Sequence, residues 1–218
     1  MNNDKERIKK ERRVWEKQAK SYDKITKSVY EDAYRLSIKK ANEILEPHNK
    51  VLEIGCGTGI ITFGIADSVD NITAIDISPK MIEAAKEKRR KLNIDNIDFN
   101  VADGYELPYQ DKEFDVISLF NVLHMIKEPK RQLREIYRLL KEDGYLLTAT
   151  DCYGEVVSLK EKLLLLLKKL LNKIGVLPYL KNYKKSDLIN LFENMNFQFV
   201  EDDILHQDPP NYYVVLKK

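Results

Sequence analysis

Three carboxylates and one glycine-rich segment have the types and spacing for ligand chemistry. Glu53-Ile54-Gly55-Cys56-Gly57-Thr58-Gly59 closes the apolar run 51–54, Asp76 closes the run 72–75, and Asp103-Gly104 follows the run 97–101. Glycines at alternate positions let a backbone turn tightly and lie against a ligand. A carboxylate at the end of the next strand, where Asp76 falls, can accept both hydroxyls of a ribose. The dinucleotide fingerprint G-x-G-x-x-G fits neither register, because its third glycine would be Ile60 or Thr62. Glu53 beside such a loop suits a cation better than a pyrophosphate. The set reads as a site for a nucleoside ligand that carries positive charge.

A second group follows the fourth and fifth apolar runs: His124, Asp151 and Tyr153. His124 is the best-placed general base, needed only where an acceptor holds a proton at its working pKa. The competing reading is a loop histidine that caps a helix or packs. Asp151 and Tyr153 are candidates for an acceptor pocket, and Tyr153 is taken as substrate-binding. His206 reads as structural. No His/Cys/Asp cluster has metal-ligand spacing, so no metal is expected. Two cysteines cannot build a disulfide framework, and Cys56 reads as loop filler.

The elements that must hold these residues follow from hydrophobic periodicity. Residues 4–20 predict a charged helix with a thin apolar stripe. Residues 28–46 predict a second, with Val29, Ala33, Leu36, Ala41, Ile44 and Leu45 at helical spacing and Pro47 closing it. Strands are expected at 51–54, 72–75, 97–101, 114–119 and 145–150. They alternate with helices over 60–68, from Ser78-Pro79 to about Leu92, and 130–140. That alternation predicts a parallel sheet with helices on both faces and ligands at the strands' carboxyl ends. Beyond Thr150 come a Leu-rich helix over 154–174, a helix from Ser186 to about Asn196, and β-like runs at 198–204 and 212–216. Asp208-Pro209-Pro210-Asn211 joins those runs as a turn, which predicts an antiparallel hairpin at a sheet edge.

The 218 residues, 43% hydrophobic and 33% charged, suffice for one sizeable core and exclude a disordered chain. Thirty-seven Lys and Arg against 35 Asp and Glu give +2, too little for a global pull toward nucleic acid. The charged first twenty residues carry no apolar signal segment, and no stretch is long and apolar enough to span a membrane. A cytoplasmic protein is expected.

Taken together, Glu53-Ile-Gly55-Cys-Gly57-Thr-Gly59, Asp76-Ile77-Ser78, Asp103-Gly104-x-x-Leu107-Pro108 and Phe114-Asp115-x-Ile117 resemble the class I S-adenosylmethionine-dependent methyltransferases over about residues 15–150. Ala19-x-x-Tyr22-Asp23 and Leu133-Arg-Glu135 through Leu140-Lys-x-x-Gly144 look most like the branch that methylates quinones, lipids and other small molecules. The resemblance implies a single Rossmann-like α/β domain with a mostly parallel seven-stranded sheet, an antiparallel C-terminal hairpin, N-terminal helices and a helical insertion after strand 5. Residues 1–46 would form a helical cap and 47–218 the methyltransferase domain, with 151–185 a lid or substrate-side insertion. It implies S-adenosylmethionine as cofactor and S-adenosylhomocysteine as product. Gly55, Cys56, Gly57 and Gly59 would form the loop along the methionine moiety, with Glu53 beneath it. Asp76 would hold the ribose, Ile77 and Met81 would pack at the adenine, and Ala102, Asp103 and Gly104 would meet its amino edge. Asn121 would contact the amino acid portion, and Tyr22 would close the site.

Each residue has a plainer alternative. Asp76 alone could serve the helix N-terminus at Pro79, a job Ser78 fits better. Asp103 alone could form a turn. Tyr22 could pack between helices with its hydroxyl paired. The Leu163–Leu167 run reads first as a buried helix closing the core, then as a lid for an apolar acceptor or a shallow membrane-surface helix across 155–173. Nucleic acid is not expected as acceptor, because exocyclic-amine methyltransferases place Asp/Asn-Pro-Pro-aromatic after strand 4, and Phe120-Asn121-Val122-Leu123 stands there. The rivals are a nucleotide-dependent oxidoreductase and a cofactor-binding module without methyl transfer.

Overall fold

The structure is a computed structural model that describes residues 2–156, 158–173, 177–207 and 209–218. Asp208 of the expected turn and Ile174 at the expected end of the Leu-rich helix lie outside the described residues, as does the side chain of Val29. Seven strands form one sheet: β1 (Lys50–Ile54), β2 (Asn71–Asp76), β3 (Ile97–Val101), β4 (Phe114–Phe120), β5 (Leu140–Asp151), β6 (Gln198–Gln207) and β7 (Pro210–Lys217). Their spatial order is β3-β2-β1-β4-β5-β7-β6. The first five pair in parallel, and β7 runs antiparallel between β5 and β6. The order reverses between β1 and β4, and a crevice at the carboxyl ends is expected at such a switch point.

Alternation in the buried strands sends neighbouring residues to opposite faces. Leu52, Ile117, Leu119 and Leu146 join the core on one face, beneath α5 (Pro129–Leu139) and α7 (Lys185–Glu193). Val51, Val116, Phe120 and Leu147 join the core on the other, with α2 (Tyr22–Ile44), α3 (Ile60–Ile65) and α4 (Pro79–Leu92). Ser78 caps α4 as its sequence position suggested, its hydroxyl accepting the Met81 N–H at 3.3 Å.

Element boundaries differ where polar residues do apolar work. Helix α2 starts at Tyr22 rather than near 28, and its buried face includes Thr26 and Ser37. The Ser37 hydroxyl returns a hydrogen bond to the Ala33 carbonyl. Strand β5 starts at Leu140, five residues early, because Asp143 adopts a positive φ of 64° and the pairing with β4 shifts between Phe114 and Val116. A short turn over Tyr153–Glu155 precedes the Leu-rich helix, so α6 covers Leu159–Lys173.

The expectation that this helix is buried is overturned. Of the five leucines in its run, only Leu165 is buried, against Tyr153 and Val156. Leu163, Leu164, Leu166 and Leu167 are exposed, with Leu170 beyond them. The sheet face is already filled by α5 and α7, so α6 lies outside it.

Candidate functional site

The glycine loop is built by the ends of β1 and β2. The Gly55 and Cys56 N–H groups donate to the Ile75 carbonyl at 2.7 and 3.0 Å, which ties the loop to the neighbouring strand. Gly55 has φ of 76°, and an added Cβ would stand 2.4 Å from Val122 Cγ2. Glycine is therefore required there by backbone and space together. The Asp76 carboxylate accepts the Gly57 N–H at 3.0 Å and the Ser78 N–H at 2.8 Å. Burial pushes its pKa up to about 6, partly offset by those two donors.

A cavity of about 120 Å³ opens at this switch point. Gly55, Gly57, Asp76, Ile77 and Met81 line it from the loop and β2 side. Ala102, Asp103 and Gly104 line it from the end of β3, with Asn121 after β4 and Tyr22 from α2. The other three residues of the expected set do not reach its wall. Glu53 lies beneath the loop at 3% exposure, its carboxyl pushed up to about 7 by burial, with Oε2 lacking a hydrogen-bond partner among the described residues. Cys56 points into the core with its thiol pKa raised by burial, which suits a filler. Gly59 opens α3 with φ of 85° and faces Phe63 and Phe99.

Three residues that sequence reasoning missed come from α1 (Asn2–Gln18), which crosses the cavity and presents Arg7, Glu11 and Trp15. The Arg7 guanidinium pairs with the Asp103 carboxylate and with Glu11, and sits 4.5 Å over the Tyr105 ring. Arg12 Nε donates to the Ile77 carbonyl at 2.9 Å. In a segment so rich in charge, nothing local separates these arginines from solvated ones. Gln132 was missed as well; its amide donates to the Gly104 carbonyl at 2.7 Å and fixes the turn that carries Asp103.

A second cavity of about 300 Å³ adjoins the first, sharing Trp15, Tyr22, Asn121, Met125 and Pro178 with it. His124, Asp151 and Tyr153, proposed from sequence as acceptor-side residues, all line it. Tyr153 donates its hydroxyl to Asp151 Oδ2 at 3.0 Å. Asn211 Nδ2 donates both to Asp151 Oδ1 and to Asn121 Oδ1 at 2.7 Å. The last residue of Asp208-Pro-Pro-Asn211 is thus buried and ties Asn121, on the wall of both cavities, to Asp151 on the wall of the second, although its sequence position suggested only a turn. His124 is 1% exposed and meets the Tyr153 ring edge-on at 5.7 Å. Burial depresses its pKa, which favours the neutral imidazole, while Asp151 opposes that and Lys168 adds to it. Its Nδ1 has no hydrogen-bond partner among the described residues. His206 lies apart on β6, near the Pro209 carbonyl and the Tyr30 ring. No group of His, Cys, Asp and Glu suited to a metal ion occurs among the described residues.

The arrangement is a carboxylate-bearing cavity joined to a larger, more apolar one, with Tyr22 and Asn121 at the seam. Such a pair can bring a nucleoside ligand and a second, apolar molecule edge to edge.

Known proteins are similar to this chain in sequence and in fold. A demethylmenaquinone methyltransferase of Listeria welshimeri is 27% identical over 142 residues, 62% of this chain and 59% of that protein. The aligned stretch therefore spans less than two-thirds of that relative. A demethylmenaquinone methyltransferase of Bacillus cereus is 23% identical over 207 residues, covering 86% and 87% of the two chains. Among solved structures, a SAM-dependent methyltransferase from Aquifex aeolicus superposes with a TM-score of 0.69 at 18% identity, covering 93% of this chain and 97% of that one. Another, from Methanosarcina mazei, gives 0.69 at 19% identity over 82% and 96%. At those identities the likeness is one of fold. A family model described as a methyltransferase domain matches residues 45–196, well over half of the chain, and the protein belongs to that methyltransferase family.

Proposed function

We propose that the protein transfers the methyl group of S-adenosylmethionine to a small-molecule acceptor held in the second cavity, with S-adenosylhomocysteine as product. One observation carries the reading: the glycine loop, Asp76 and Asp103 converge on a cavity that shares a wall with a larger apolar one. An apolar, quinone-like acceptor suits that second cavity and the names of the relatives.

The residues fit the cofactor. Asp76 presents a half-buried carboxylate already oriented by two backbone donors, the arrangement a ribose diol requires. Ile77 and Met81 offer apolar surface to an adenine, and Asp103 an acceptor to its amino group, shared with Arg7. Gly55 and Gly57 leave bare backbone for the amino acid portion, with Asn121 and Tyr22 closing the seam. When bound, the cofactor would supply an electron-poor methyl on a sulfonium, whose transfer to an acceptor nucleophile leaves a neutral thioether. Positive charge is dispersed in that step, so orientation and exclusion of water by Trp15, Tyr22 and Met125 contribute most. His124 would take a proton only from an acceptor that carries one at its nucleophilic atom. In this reading residues 1–46 act as the cap and 151–185 as the substrate-side lid. A cytoplasmic location agrees with Cys56 and Cys152 being buried free thiols.

Calorimetric titration with S-adenosylhomocysteine, with NADH as control, tests this reading. Saturable binding of the first alone supports it, and preference for NADH would replace it with the oxidoreductase reading. Asp76→Ala should weaken S-adenosylhomocysteine binding by about 1.5–3 kcal/mol, the worth of hydrogen bonds to a charged group. An unchanged dissociation constant in a folded variant would remove Asp76 from the site. Tight binding with no turnover of any acceptor would favour the binding-module reading.

A further inference from the structure

We propose that the outward face of α6 docks on an anionic lipid bilayer. Leu163, Leu166, Leu167 and Leu170 follow the i, i+3, i+4, i+7 spacing of a single helix face, and all are exposed, Leu163 to 68%. Leu165, the buried leucine of the run, projects from the opposite side toward Tyr153 and Val156. The helix is thus amphipathic in the reverse sense to a core helix, with its fuller apolar face turned away from the protein. A contiguous patch of this kind marks an interaction surface.

Charge identifies the occupant. Lys162 and Lys169, both exposed, border the leucine face, positions from which lysines reach headgroups while leucines enter the acyl boundary; Lys168 instead turns inward with Leu165. The whole helix carries five lysines against one glutamate, so it suits an anionic surface. A second copy of this chain fits less well, because pairing two such faces would set lysine borders against each other with little acid to neutralise them. At 15 residues α6 is too short to cross, and no described helix is long and apolar enough to span a membrane. It would lie along the surface.

The position of α6 gives the docking a use. Lys168 lines the second cavity and stands 5.0 Å over the Tyr153 ring. A bilayer-bound α6 would therefore hold the acceptor cavity at the lipid surface, where an apolar acceptor is concentrated. The docking itself needs no methyl donor, so it stands or falls separately from the proposed activity.

The test is co-sedimentation of the full chain with phosphatidylcholine vesicles and with equimolar phosphatidylcholine–phosphatidylglycerol vesicles. The expected result is salt-sensitive binding to the second type. It should fall at least tenfold when Leu163, Leu166, Leu167 and Leu170 are replaced by Ser, with S-adenosylhomocysteine binding and melting temperature retained. Lys162→Gln with Lys169→Gln, which leaves the leucines in place, should weaken binding about fivefold per lysine. Equal binding to both vesicle types, equal binding by the serine variant, or no binding by the wild type would each overturn the proposal. A wild-type dimer that the serine variant converts to monomer, without vesicle binding, would assign the face to a second copy.

Discussion

Asp76 and Glu53 are carboxylates withdrawn from water, and their proton affinity ties the fold to pH. Both folded pKa values lie above those of an unfolded chain, about 6 and about 7. A raised acid contributes stability while protonated and loses it as pH rises through the folded value. Between about pH 4.5 and 7, Glu53 should therefore cost on the order of 2–3 kcal/mol as it ionises. Glu53→Gln should flatten thermal melts across that window and raise the melting temperature at pH 8; a variant melting as steeply with pH as the wild type would show another group at work. Asp76 acts on binding in the opposite sense. Protonation removes an acceptor, so S-adenosylhomocysteine affinity should decline below about pH 6, read by titration calorimetry at several pH values. At this scale the sequence was most legible where an acid ends a strand, because strand ends on a parallel sheet all open to one crevice. It was least legible at Arg7, Gln132 and Asn211, whose partners are distant in the chain and whose local surroundings look like solvated helix or turn.

Helix α1 is held by polar contacts rather than by core. Val14 is its buried apolar residue, while Arg7 reaches Asp103, Arg12 reaches Ile77 and Asp4 stands 3.4 Å from Arg131. Loosening one anchor should free the helix without unfolding the sheet. Arg7→Ala is expected to speed amide exchange over residues 4–18 by roughly tenfold, from the loss of a charged hydrogen bond, with the global melting temperature little changed. Equal protection in wild type and variant would show that Trp15 and Val14 suffice to dock the helix. The boundaries of α2 and α6 were misjudged from sequence for a common physical reason. Apolar periodicity reports how many apolar residues a segment has and how they are spaced, but not what surface awaits them. In α2, Thr26 and Ser37 are buried, Thr26 at the wall of the second cavity and Ser37 bonded back to the Ala33 carbonyl; in α6, leucines stay exposed because nothing among the described elements covers them.

The sheet carries a large core on each face, and β4 serves both. Ile117 fills one face and Val116 the other, each at 1% exposure or less. A cavity on either side should therefore weaken everything at once. Ile117→Ala should cost about 2–5 kcal/mol in a single urea transition of unchanged slope; two separable transitions would show the two faces unfolding independently. The alternation of strand and helix made the parallel half readable from sequence, whereas the place of β7 was not, since hairpin pairing alone would put either strand beside β5. That placement has a consequence for how the protein is made. Strand β7 is the last of the sheet to leave the ribosome, yet it must slide between β5 and β6, and it carries Asn211, the bond between Asn121 and Asp151. A nascent chain that has emerged only through β6 holds every residue of the glycine loop and its strand-end acids but lacks the one that ties Asn121 to Asp151, so the acceptor side is completed last.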